Sequence, residues 1–217
     1  MTGIDAAAGT WLNPAVLATI ALSMAIAAFA LALGRRAKES SRTIIAAETL
    51  LLIIERELAT IFDRDPRPFL PLLATLFLFI LFANISAVIP GVRPPTEFPE
   101  TAAALAAIVF GAVQWYGVRT RGFVGYLRHF AQPSPILLPF HIAAEFTRTL
   151  SLAVRLFGNM MSHGLVLAVV ASIAGLLVPV PFLALGLLIG AVQAYIFTVL
   201  AAVYIAAAVA EPQRRSQ

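Results

Sequence analysis

The sequence predicts an all-α membrane protein with about five membrane-crossing helices and one interfacial amphipathic helix. The last two crossings are long and strongly tilted, as a hairpin. Three observations carry this. Of the 217 residues, 60% are hydrophobic and 12% charged, against roughly 45–50% and 25% in a soluble domain. Mean hydropathy is +0.91, more than a water-facing surface tolerates. The apolar residues also gather into runs of membrane length, separated by short loops where arginine collects. A single integral membrane domain over 1–217 is expected, with no room for a sizeable soluble one.

The first run, Pro14–Leu33, is long enough at about 1.5 Å per residue to cross a core of roughly 30 Å. Its bases, Arg35, Arg36 and Lys38, follow it rather than precede it. That is the pattern of a retained span with its N-terminus outside, not of a cleaved signal. Residues 35–68 hold seven of the fifteen basic residues. Within them Thr43–Phe62, carrying Glu48, Glu55, Arg56 and Glu57, reads as an amphipathic helix at the cytoplasmic interface; a soluble helical hairpin is the alternative. Spans are expected at Phe69–Pro90, which contains Asn84, and at Thr101–Val118, joined by the loop GVRPPTEFPE with Glu97 and Glu100. Arg119, Arg121 and Arg128 follow the second of these.

Two long segments remain, 135–177 and 179–210. A single helix over 135–177 would be about 65 Å long, twice the hydrocarbon thickness. It must either tilt strongly or break into two spans at Gly158–Gly164. One crossing leaves Arg214 and Arg215 in the cytoplasm and two leave them outside, so the positive-inside tendency favours a single tilted helix. The expected topology is N-terminus out, C-terminus in.

Several function classes are excluded. Cysteine is absent, so disulfides, thiolate metal sites and a Cys nucleophile are too. The single lysine, Lys38, lies in no GxxxxGK[ST] run, which excludes a P-loop NTPase. The net charge of +4 and pI near 10.1 report basic loops rather than nucleic-acid binding. There is no HExxH, no GxSxG and no aspartate pair suited to an intramembrane protease. Neither a catalytic residue nor a metal or cofactor is expected.

The informative segment is HIAAEFTRTLSLAVRLFGNMMSHG, His141–Gly164. On a helix, His141, Glu145, Arg148, Arg155, Asn159 and His163 fall within about 80° of one another; the rest of the circumference is apolar. Charge near the bilayer centre costs at least about 2.5–3.5 kcal/mol. Arg148 offsets its share by pairing with Glu145 three residues earlier. Arg155 has no acid three or four residues away and cannot shed its proton. It must face water or a carboxylate from another helix or another chain. Gln193 and Tyr204 share one face of the last segment, and hairpin packing can bring Gln193 near Arg155. Gly186 and Gly190 form a small-xxx-small pattern that admits a neighbouring helix.

These residues resemble the subunit a family of F-type ATP synthases. SLAVRLFGNMMSHG (Ser151–Gly164) is similar to that family's SLxxRLFGNM motif. LFLFILFANISAVIPG, PPTEFPETAAALA, EFTRTLSL and AVQAYIFTVLAAVYI resemble four further family segments in the same order, so the resemblance covers most of the chain. It implies the ion-conducting part of a stator, beside a rotor ring of c subunits and held by the b-subunit peripheral stalk, in a bacterial plasma membrane. Two offset half-channels would carry H⁺ or Na⁺ to and from a carboxylate on each c subunit. The family's indispensable arginine falls on Arg155, its motif asparagine on Asn159 and its last-helix glutamine on Gln193. His141, Glu145, Arg148 and His163 complete the expected ion path. The sequence departs from the family at Gly164, where many relatives carry Glu or His, at Gly186, where enteric relatives carry His, and at Thr149, where the family has proline. The relay group of one half-channel therefore stays open, with His163 a candidate, and the MSHG variant points to a divergent branch coupled to Na⁺. A stand-alone secondary transporter or channel is the competing reading; against it, the two halves show no repeat and Arg155 would lack a partner. A structural assembly subunit would leave the polar stripe unexplained.

Overall fold

The computed structural model describes residues 19–24, 42–88, 93–122, 125–126, 138–174 and 179–210. Among them the chain is helical throughout its regular structure. Five long helices follow in order: α1 (Arg42–Ile61), α2 (Leu70–Ile85), α3 (Pro99–Arg121), α4 (Leu138–Ala174) and α5 (Pro179–Val209). Short 3-10 turns at Ser86–Val88 and Pro95–Glu97 lie between α2 and α3. Four stretches are long and apolar enough to cross a membrane: Leu70–Val88, Pro99–Arg121, Pro139–Ile173 and Val180–Val209. The expected first span, Pro14–Leu33, lies outside the described residues apart from helical residues 19–24. Thr19 in that piece reaches Thr101 at the start of α3, hydroxyl to hydroxyl at 3.3 Å.

Local chemistry explains the helix ends. Pro71 and Pro99 stand in the first turns of α2 and α3, where a missing N–H removes no helical bond. Glu100 opens α3 and Arg119 and Arg121 close it, matching the positive and negative ends of the helix dipole. Gly122 stops it at φ 72°, a backbone region that costs glycine nothing. Arg121 also donates to the carbonyl of Ala210, which brings the ends of α3 and α5 together.

α4 runs unbroken for 37 residues through GNMMSHG, and α5 for 31. No proline interrupts α4 after its first turn, and neither Gly158 nor Gly164 breaks it. At 1.5 Å per residue these helices measure about 55 and 46 Å, well beyond a hydrocarbon thickness of about 30 Å. Neither stands upright inside one; each must tilt or project from it.

α5 is the centre of the bundle and touches all four other helices. It buries Ala194, Phe197, Ala201, Ala202 and Ile205, and its alanines let neighbouring backbones approach. α2 packs on it through Leu73 and Ile80, and α3 adds Ala102, Val109 and Val113. α1 presents Ile54 and Leu58 to this core, while Ile45, Leu51, Leu52 and Ile53 point outward. Phe62, just after α1, stacks on Phe69 at 4.6 Å, and Phe69 meets Tyr116 edge-on at 4.8 Å. α4 is the peripheral member. Only 11% of its apolar window is buried, against 33–39% for the other three, and the buried side chains are Leu152, Leu156 and Met160. The long face left open is the one that borders the ionisable stripe.

Candidate functional site

The site is the seam between α4 and α5, which run antiparallel. Near one end the Arg148 guanidinium lies 5.8 Å from the centroid of the Tyr204 ring. Further along, Asn159 Nδ2 donates to Gln193 Oε1 at 2.6 Å. Beyond that, the His163 ring sits against Gly186. From Arg148 to Asn159 is the same number of residues as from Tyr204 back to Gln193, so the two contacts share one register. That register follows from packing: Leu152, Leu156 and Met160 fill the seam and the polar stripe runs along its border.

Each expected residue has a definite position. Arg148 pairs with Glu145 at 3.7 Å, with the Arg148 side chain about half exposed at 51% and Glu145 at 15%. His141 is half-buried near the start of α4. Arg155 is exposed and, among the described residues, has no hydrogen-bond or ion-pair partner. Gln193 is 2% exposed. The expectation that it approaches Arg155 is corrected: its oxygen is engaged by Asn159, one turn further along α4. The reason is register, because the antiparallel offset matches Gln193 to Asn159. Gln193 thus holds Asn159 beside the free guanidinium.

Two buried nitrogens on this seam have no partner, Gln193 Nε2 and His163 Nε2. A buried polar group left unpaired costs about 1–3 kcal/mol. Two of them along one polar seam suit a place where water or a passing ion completes the hydrogen bonding. The His163 ring fits only because Gly186 has no side chain. A Cβ there would overlap Nε2 and Cε1 and would stand 2.6 Å from Cδ2.

Three further polar residues, not picked out as site residues from the sequence, converge on the same end. Thr96 Oγ1 donates to Asn84 Oδ1 at 2.7 Å, and Asn84 Nδ2 donates to the Gly190 carbonyl at 2.8 Å. Thr96 and Asn84 are both buried. This chain of bonds ties the Pro95–Glu97 turn to α2 and α5 and brings Glu97 against α4 at Gly164, where a Cβ would stand 2.7 Å from Oε1. The available signal was the amide of Asn84 in an otherwise apolar span, since a buried amide needs partners. At the other end Tyr126 donates to Gln114 Oε1 at 2.7 Å. Its phenol is pushed up to about 12, first by burial and then by the Glu145 carboxylate, against the opposing pull of Arg121.

A continuous membrane-length helix with an unpaired arginine on an open face is a rare arrangement, and comparison with known proteins identifies the family that has it. The profile of the family described as ATP synthase A chain matches residues 16–206. The chain belongs to the ATP synthase A chain family. It is 53% identical over 162 residues to ATP synthase subunit a 2 of Bradyrhizobium sp., covering 75% of this chain and 73% of the relative. It is 49% identical over 176 residues to ATP synthase subunit a of Nitrosospira multiformis, covering 81% and 70%. With ATP synthase subunit a 1 of Chlorobaculum parvum the identity is 46% over 200 residues, covering 91% and 88%. The matched range contains every site residue named above. As a member of this family with several apolar helices, the chain is a multi-pass membrane subunit of an ATP synthase.

Proposed function

We propose that the chain is the ion-translocating stator subunit, carrying H⁺ or Na⁺ through two half-channels to and from carboxylates on a rotor ring of c subunits. In this reading it performs no bond chemistry itself. It sits in a bacterial plasma membrane with its N-terminus outside and its C-terminus in the cytoplasm, held by the b-subunit peripheral stalk. The observation that carries the reading is Arg155, a cation that cannot be deprotonated, exposed on the open face of a membrane-length helix and unpaired among the described residues. Such a group is suited to an anion that arrives and leaves. It attracts the ionised rotor carboxylate, and its fixed charge bars a cation from passing straight between the half-channels. Asn159 and Gln193 line the same interface. Glu145, Arg148 and His141 lie on one side of Arg155 along α4 and His163 on the other, so each half-channel has its own polar groups.

The test is Arg155→Ala in the assembled complex. ATP-driven ion pumping and ATP synthesis are expected to be abolished while subunit stoichiometry is unchanged. Arg155→Lys should fail as well, because a compact ammonium lacks the planar fork and reach of the guanidinium. Coupled pumping near the wild-type rate in Arg155→Ala would overturn the reading. Repeating the wild-type assay with and without Na⁺ decides the coupling ion.

A further inference from the structure

Gly164 follows the polar stripe directly, and the space where its side chain would stand is occupied. A Cβ there would lie 2.7 Å from Glu97 Oε1 and 3.3 Å from Cδ. Glu97 comes from the turn between α2 and α3, not from the hairpin. It is half-buried, and among the described residues its carboxylate has no hydrogen-bond or ion-pair partner. The turn that carries it is fixed. Thr96 beside it is fully buried and bonded to Asn84, which is bonded in turn to the Gly190 carbonyl. The Glu97 and Phe98 amides close the turn on the Pro94 and Pro95 carbonyls at 3.0 and 3.2 Å. An unpaired carboxylate held this firmly against a membrane-length helix carries a large solvation penalty unless water or a cation meets it.

The neighbouring groups point the same way. His163 precedes Gly164, and its buried Nε2 is unpartnered; so is Gln193 Nε2, further along the seam toward Arg155. From Gly164 back to Arg155 is about 13 Å along the helix at 1.5 Å per residue. Glu97, His163, Gln193 and Arg155 thus form a line of polar groups with unmet hydrogen-bonding or charge, along a seam otherwise filled by leucine, alanine and methionine.

We infer that Glu97 is an ion-path residue: its carboxylate, seated in the space left by Gly164, is the cation-holding group of the half-channel on the His163 side of Arg155. Gly164 is then a socket whose small size the sequence needs. This rests on the ion-translocation reading and adds to it the group that meets the small monovalent cation. A carboxylate oxygen meets Na⁺ as a ligand. It meets a proton by forming an O–H bond, which breaks as the proton moves on, so the group returns unchanged.

The test moves the carboxylate across the socket. In the assembled complex, Glu97→Ala is expected to lower ATP-driven pumping by at least about tenfold, the low end for a lost relay group. Adding Gly164→Glu to Glu97→Ala should restore most of the flux, because the carboxylate returns to the same space from the other wall. Gly164→Glu with Glu97 retained should be worse than the double variant, since two carboxylates then compete for one seat. The cysteine-free background gives a second readout. A thiol at Glu97→Cys should react with a small water-soluble methanethiosulfonate, and the reaction should block residual pumping. Wild-type flux in Glu97→Ala, a double variant no better than Glu97→Ala in an intact complex, or an unreactive thiol would each overturn the inference. Arg155→Ala keeps the two readings apart: loss of pumping there with normal pumping in Glu97→Ala rejects the role of Glu97 and leaves the stator reading standing.

Discussion

Gly186→Ala is the sharpest test of the α4–α5 seam, because two physical effects predict opposite signs. Glycine in a helix interior is less favourable than alanine by about 0.8–1.0 kcal/mol, so propensity alone predicts stabilisation. The structure predicts a clash. The added methyl would overlap His163 Nε2 and Cε1, with Cδ2 at 2.6 Å. Carbon atoms rest at about 3.5–4.0 Å, so the ring must retreat by more than about 1 Å. Gln193 and Asn159 already occupy the next turn of the seam, so the ring has to swing outward. Overpacking of this kind costs about 1–3 kcal/mol, which outweighs the propensity gain across most of its range. Net destabilisation of up to about 2 kcal/mol is expected, with reduced pumping. In His163→Ala the seat is empty, so adding Gly186→Ala should be neutral or stabilising by up to about 1 kcal/mol. The four-variant cycle should therefore show a coupling of about 1–3 kcal/mol. Thermal dissociation of the detergent-solubilised complex, followed for this subunit, measures the stability arm, and ATP-driven pumping in vesicles measures the other. Additive effects, or a Gly186→Ala single variant at least as stable as wild type, would refute the argument.

Other variants probe the rest of the bundle. Arg148→Met should weaken assembly or flux by leaving the Glu145 carboxylate, 15% exposed, without its cation. The double change with Glu145→Gln should be milder than the sum, with a coupling of about 0.2–1 kcal/mol because the arginine is half in solvent; strict additivity would argue against the pair. Asn84→Ala leaves the buried Thr96 hydroxyl and the Gly190 carbonyl without their partners and should cost about 1–3 kcal/mol for each, read as lower thermal stability of the complex. An unchanged melting temperature would show that the amide ties nothing together. Tyr126→Phe loses one hydrogen bond, to Gln114 at 2.7 Å, and should cost only about 0.5–1.5 kcal/mol, without changing the coupling ion.

Much of the architecture is local and was therefore legible. Apolar run lengths mark the helices that can span a membrane, and the prolines and Gly122 mark several of their ends. The absence of proline between Pro139 and Pro179 already favoured one long helix over two, and α4 is continuous through its glycines. The polar stripe is local as well. Its residues share a helix, so a period of 3.6 places them on one face whatever surrounds them. The isolation of Arg155 from any acid on its own helix could be read the same way.

What crosses between helices could not be read, because it depends on register and on which neighbour fills a gap. Helical periodicity puts Gln193 on a face but does not say which turn of α4 it meets. The antiparallel offset of two packed helices decides that, and it gives Gln193 to Asn159 and leaves Arg155 open. In the sequence Gly164 and Gly186 are two missing side chains. In three dimensions each is a space filled from elsewhere, by Glu97 and by His163. No local pattern announces that exchange, since Glu97 arrives from a distant turn and is held there by the Thr96–Asn84–Gly190 bonds. The sequence by itself determined the helices, their polar face and the unpaired cation, because each follows from neighbours along one chain. The tertiary structure decided which polar groups share the seam, because close packing assigns each small residue's empty volume to whichever side chain can reach it.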